Sequence, residues 1–200
     1  VSLLGGQRVV VIDTETTGFD PAYGHRIVEI ALVAMADGEL GETWHSLVNP
    51  GRPIPPDAVS VHGIRDEDVA DAPRAAVIAA EVRGRCGAHP LVFHNAGFDL
   101  PFIAAMLREG RQAPLWNPVV DTLGLARGLG LGDSHALDAL AERLGLPRPA
   151  AHRALNDATT TARLFAALAA RWQERGVRSL AELAAMSQDL MRPGARRPAA

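Results

Sequence analysis

The chain has 200 residues, 48% hydrophobic and 22% charged, enough to bury one sizeable core with a short appendage. Its formal net charge of −3, with every basic residue an arginine, predicts weak, salt-sensitive binding to any polyanion by the chain alone. The single cysteine, Cys86, excludes an intrachain disulfide and a cysteine-based zinc site. Apolar runs well short of the ~18 residues that span a bilayer, and an N-terminus without a signal-peptide pattern, lead to the expectation of a cytoplasmic protein.

Arg8 to Thr14 reads as a buried strand, and at its end stand Asp13 and Glu15. Side chains two apart on a strand point to the same side, with Cα atoms about 7 Å apart. Two carboxylates held that close repel and raise each other's pKa unless a cation joins them, so the spacing asks for a metal. Arg26 to Met35 reads as a second strand, turned by Asp37-Gly38 into a third over Glu39 to Val48, which makes an antiparallel meander. A proline-rich loop follows over Asn49 to Asp57, then short helical pieces begun by Asp66-Glu67-Asp68 and by Pro73. The acidic cluster Asp66, Glu67, Asp68 and Asp71 fits first-turn partners of the helix dipole better than a metal site. Cys86 falls in an alanine-rich helical stretch and reads as inert filler.

The remainder alternates: strand Pro90 to His94, helix Phe98 to Glu109, strand Val119 to Asp121, helix Ala136 to Leu144 and helix Leu155 to Trp172. A meander followed by this alternation predicts an α/β fold, a mixed sheet flanked by helices. Asp99 sits at a strand-to-helix junction, where a carboxylate is ordinarily favoured by the dipole. His152 precedes Asp157 by five residues, roughly 140° around a helix, so the histidine is expected in the approach loop. Ser179 to Leu190 reads as a last helix and Arg192 to Ala200 as a flexible basic tail, dividing the chain into a domain over 1–175 and an appendage over 176–200. Residues 1–140 hold 10 Arg against 18 acids (net −8) and 141–200 hold 10 Arg against 5 acids (net +5). Arg148, Arg153 and Arg163, near Asp157, are candidates to face phosphates or to be solvated helix charges.

Asp13-Thr14-Glu15-Thr16-Thr17-Gly18, His94-Asn95 with Phe98-Asp99, and His152 with Asp157 occur in that order. Together they resemble the three motifs of the DEDDh 3′→5′ exonucleases, the family that includes the proofreading epsilon subunit of bacterial DNA polymerase III. Arg26-Ile27-Val28-Glu29-Ile30, Val61-His62-Gly63-Ile64 and Asp121-Thr122-Leu123 extend the resemblance over about residues 8 to 170. It implies a ribonuclease H-like fold and hydrolysis of DNA from a single-stranded or frayed 3′ end, in replication or repair. It further implies two ions of Mg²⁺ or Mn²⁺, with Asp13 touching both, Glu15 and Asp157 the first, and Asp99 the second, largely through water. His152 would be the general base, and Thr16, Phe19, Val61, His62, His94, Asn95 and Phe98 would surround the terminal nucleotide. Asp121 matches too but reads as structural.

Thr16-Thr17-Gly18 after Glu15 resembles the epsilon type more than the Met-Thr-Gly of oligoribonucleases, which favours DNA over RNA. An RNA-directed exonuclease and a non-catalytic polymerase accessory subunit stay open as alternatives. The polymerase III alpha subunit or a sliding clamp is the implied protein partner. Gln188 to Met191 faintly resembles a clamp-binding peptide and equally fits a plain C-terminal helix.

Overall fold

A computed structural model describes residues 2–147, 149 and 152–192. Arg148 and the tail beyond Arg192 lie outside the described residues. A five-stranded sheet is built from β1 (Arg8–Thr16), β2 (Ile27–Ala36), β3 (Glu39–Leu47), β4 (Leu91–Phe93) and β5 (Val119–Asp121). Its order is β3-β2-β1-β4-β5, antiparallel on the meander side and parallel from β1 through β4 to β5. The meander turn needs left-handed backbone at both central residues, which Asp37 (φ 56°) and Gly38 (φ 85°) supply.

The helices are α1 (Pro56–His62), α2 (Asp66–Val69), α3 (Ala75–Cys86), α4 (Ala96–Glu109), α5 (Thr122–Leu129), α6 (Leu137–Arg143), α7 (Ala154–Glu174) and α8 (Leu180–Asp189). Strand alternation assigns each face of the sheet its own core. Val9 and Val11 of β1 join Ala31 and Val33 of β2 beneath α7, which lays Ala154, Ala158 and Ala162 and then Phe165 and Leu168 on that face. The small side chains at the start of α7 let its backbone approach the strand ends closely. Val10 and Ile12 of β1 join Ile30, Leu91 and Phe93 against Ile78 and Val82 of α3 and Phe102, Ile103 and Met106 of α4. The result is the expected ribonuclease H-like arrangement, a mixed sheet with helices on both faces. Among the described residues no helix is long and apolar enough to cross a membrane.

Two elements depart from the sequence expectations. The segment after β5 forms α5 although Gly124 and Gly128 argue against a helix. Both glycines are needed for contact: a Cβ at Gly124 would strike the Ser187 carbonyl of α8, and one at Gly128 would strike Leu190 and Trp172. Helix α1 begins inside the proline-rich loop, with Pro56 at a position where a missing N–H costs nothing. Helix α8 packs on β5 and α5, and its Leu183 and Ala184 share the core beneath α7 with Val177, Leu180 and Leu190.

Candidate active site

Strand β1 carries Asp13 and Glu15 on the face covered by α7, and Thr14 and Thr16 on the opposite face. A bulge between Glu15 and Thr16 ends the regular pairing just past the second carboxylate. The first turn of α7 brings Asp157 to the same place. One carboxylate oxygen from each of Asp13, Glu15 and Asp157 lies within 4.8 Å of the others, and all three residues are partly exposed. This cluster sits at the carboxyl end of β1, the edge where open α/β sheets bind ligands.

Asp99 enters from the other side, in the first turn of α4. It is 4% exposed, and its Oδ1 accepts the Thr14 hydroxyl at 2.6 Å. It stands outside the three-oxygen cluster but close enough to act on it electrostatically. Burial, then Asp99, Glu15, Asp157 and Glu29, push the Asp13 carboxyl well above the usual carboxylate range. Burial, with Asp157, Glu29 and Asp99 behind it, raises Glu15 to about 8, while Arg153 opposes the shift. Burial raises Asp99 to about 7 against the opposing hydrogen bond from Thr14. Crowded oxygen donors that resist ionisation fit a hard divalent cation, whose charge would offset the repulsion.

His152 does lie in the approach to α7, exposed, with a left-handed backbone (φ 62°). Its N–H donates to Asp157 Oδ2 at 2.9 Å, which pins the loop to the acidic cluster. A non-glycine residue in that conformation is uncommon and concentrates at functional positions.

Five of the seven expected nucleotide contacts converge. Thr16, Phe19, Val61, His62 and Phe98, together with Glu15, line one cleft of ≈ 420 Å³. Phe19 is 89% exposed and Val61 54%, whereas Phe98 is half-buried and tilts against Phe102. His62 Nδ1 accepts the Ile64 N–H at 3.0 Å, which leaves the ring proton on Nε2. That atom is buried near the Thr16 backbone without a hydrogen bond of good geometry. His94 and Asn95 do not reach this cleft. His94 is held by the Thr122 hydroxyl at 2.8 Å and the His135 carbonyl at 3.0 Å, and both residues line a separate depression with Arg127 and Asp133.

Asp121 organises backbone. Its carboxylate accepts the N–H groups of Asn95, Ala96 and Leu123 at 2.9–3.0 Å, anchoring the starts of α4 and α5. Asp66 and Asp68 likewise accept the Ile54 and Arg65 N–H groups. Of the arginines weighed as phosphate contacts or solvated helix charges, Arg163 donates to the Pro147 carbonyl, and Arg153 grips Glu29 through two N–H groups at 2.7 and 3.0 Å. Glu29, in a stretch matched by resemblance, has no role legible in the sequence because its apolar neighbours mark only a strand.

The mixed sheet, its acidic cluster and the adjoining cleft define a nucleic-acid hydrolase of ribonuclease H-like architecture. The chain belongs to the RNase_T exonuclease family, whose model matches residues 10–165. It is 42% identical over 174 residues to a DNA polymerase III subunit epsilon-like protein of Rhodobacter capsulatus, covering 84% of this chain but 24% of that relative. It is 36% identical over 168 residues to a DNA polymerase III subunit epsilon of Rickettsia felis, covering 80% and 73% respectively. Among solved structures, Exonuclease X in complex with 5′ overhanging duplex DNA superposes with a TM-score of 0.72 at 29% identity, over 90% of this chain and 99% of that one. E. coli Exonuclease I bound to a dA16 oligonucleotide, at 20% identity and a TM-score of 0.76 over 84% of this chain and 42% of that one, shares the fold.

Proposed function

We propose that the chain is a 3′→5′ exonuclease that removes nucleotides from DNA ends, with proofreading in replication or repair as its setting. The observation that carries the reading is the convergence of Asp13, Glu15 and Asp157 from separate elements within 4.8 Å, beside a cleft with an exposed aromatic ring. Similarity to epsilon subunits and to a DNA-bound Exonuclease X supports DNA as the substrate.

Asp13, Glu15 and Asp157 would hold divalent metal, Mg²⁺ or Mn²⁺, as two ions per site, with Asp99 behind them. Such ions supply polarisation of a phosphoryl oxygen and a lowered pKa for bound water. His152, on an exposed loop next to the cluster, accepts the proton of the attacking water on its imidazole. Thr14 holds the Asp99 carboxylate in a single orientation through its 2.6 Å hydrogen bond. Phe19 offers its free ring to the terminal base, a contact that tolerates any sequence. His62 lines the same cleft beside Thr16 as a further contact to the terminal nucleotide.

A cytoplasmic replication setting makes the DNA polymerase III alpha subunit the proposed protein partner. Clamp binding through Gln188 to Met191 is the less favoured variant, because Leu190 is buried in the core and would have to leave it. Digestion of end-labelled single-stranded DNA, mismatched duplex and short RNA with Mg²⁺ or Mn²⁺, beside Asp13→Ala, tests the reading. Shortening from the 3′ end of DNA, abolished in the variant, is expected. Preference for RNA would redirect the substrate assignment, and activity retained in the variant would defeat the site.

A further inference from the structure

Beneath the acidic cluster runs a strut that none of the roles above uses. Glu29 stands on β2 directly opposite Glu15 of β1, on the face covered by α7, and is 1% exposed. Its Oε1 accepts Arg153 Nη2 at 2.7 Å, and its Oε2 accepts both Arg153 Nε at 3.0 Å and the Ala154 backbone N–H at 2.9 Å. Helix α7 has no side-chain cap of its own at Arg153. The carboxylate of a distant strand therefore does that work, satisfying an N–H that the helix leaves over.

Both neighbours of this clamp are site residues. His152 immediately precedes it, and Asp157 follows within the first turn, accepting the His152 N–H. Like charges directly across an antiparallel pair are unfavourable, so Glu15 and Glu29 need a cation between sheet and helix, and the Arg153 guanidinium provides it.

Resting on the exonuclease reading, we propose that Glu29 is a positioning residue: through Arg153 and Ala154 it sets where α7 begins above β1, and so fixes Asp157 and His152 against Asp13 and Glu15. It touches no substrate. Its effect falls on turnover and on metal affinity, and leaves the nucleotide cleft with Phe19 and Val61 unchanged.

The test is Glu29→Gln, with Arg153→Lys as a second variant. The readouts are kcat and KM on a single-stranded DNA oligonucleotide in saturating Mn²⁺, and Mn²⁺ affinity by titration calorimetry without DNA. The Glu29→Gln change keeps the volume but leaves one acceptor oxygen where three N–H groups converge, and Arg153→Lys keeps the charge but loses the fork. We expect kcat and Mn²⁺ affinity to fall roughly 10- to 100-fold in Glu29→Gln, as for other groups that orient metal ligands, and less in Arg153→Lys, with KM nearly unchanged. Wild-type kcat and Mn²⁺ affinity in a folded Glu29→Gln protein would overturn the proposal, as would a change confined to KM. If Glu29→Gln does not fold, full kcat and Mn²⁺ affinity in Arg153→Lys would overturn it instead. A wild-type chain that binds Mn²⁺ without degrading DNA would overturn the exonuclease reading alone, since metal affinity still reads the strut.

Discussion

The Asp157 carboxylate joins the acidic cluster and, through Oδ2, also accepts the backbone N–H of His152 at 2.9 Å. One side chain thus links the metal-type donor set to the proposed base, and the two tasks separate chemically. An amide oxygen can still accept the N–H, but it is a poor substitute for an anion at a cation site. Asp157→Asn is expected to abolish turnover while leaving the loop around His152 as resistant to proteolysis as in the wild type. Asp157→Ala should abolish turnover and loosen the loop as well. Equal protease sensitivity of the two variants would break the link.

Metal-free protein should lose stability as pH rises. Glu15 is raised to about 8 from an ordinary 4.5, Asp99 to about 7, and Asp13 well above its usual range. In that window the folded state keeps protons that the unfolded chain has released. The contribution of each group is complete below its ordinary value, 3.8 for the two aspartates and 4.5 for Glu15, and is lost as pH climbs through the folded values toward 8. Denaturant midpoints measured in chelator between pH 5 and 8.5 should therefore fall, and Asp13→Asn should flatten the slope. A midpoint that rises over that range would contradict the assignment.

Asp121 is a stability residue with no direct part in the chemistry. Replacing it by alanine strands three N–H groups at the starts of α4 and α5. Since an unsatisfied buried donor costs about 1–3 kcal/mol and Asn95 remains open to water, a loss of roughly 3 kcal/mol is expected by chemical denaturation. Mn²⁺ affinity measured under folding conditions should change little.

Phe19 gives the opposite pattern. At 89% exposure it contributes little to folding, so Phe19→Ala should leave the melting temperature within a degree or so. If the ring stacks on a base, binding of single-stranded DNA weakens by roughly 1–3 kcal/mol, about 5- to 150-fold. Unaltered binding would remove Phe19 from the nucleotide contacts.

The sheet and most helices were legible because β1 and β2 are near-continuous apolar runs and α7 is amphipathic, and the three motifs fall at the end of β1, between β4 and α4, and at the start of α7. Helix α5 was not, because Gly124 and Gly128 depress helix propensity, and the contacts with α8 and Trp172 that repay them are long-range. The carboxylate triad was readable from Asp13-x-Glu15 and the Asp157 motif. His94 and Asn95 line a separate depression, the His94 ring tied to Thr122 and the Asn95 backbone N–H to Asp121, and nothing in their local spacing reveals those partners. Glu29 illustrates the same limit, since its partner Arg153 is 124 residues away.

The most direct test is titration calorimetry of Mn²⁺ into wild-type protein and Asp13→Asn near pH 8, paired with melting curves. Saturable Mn²⁺ binding by the wild type is predicted, with a melting temperature raised by roughly 5–10 °C at about 100-fold excess over Kd. Asp13→Asn should bind at least about 10-fold more weakly and lose most of that shift. Equal affinity and equal shifts in the two proteins would contradict a cation site built on Asp13, Glu15 and Asp157.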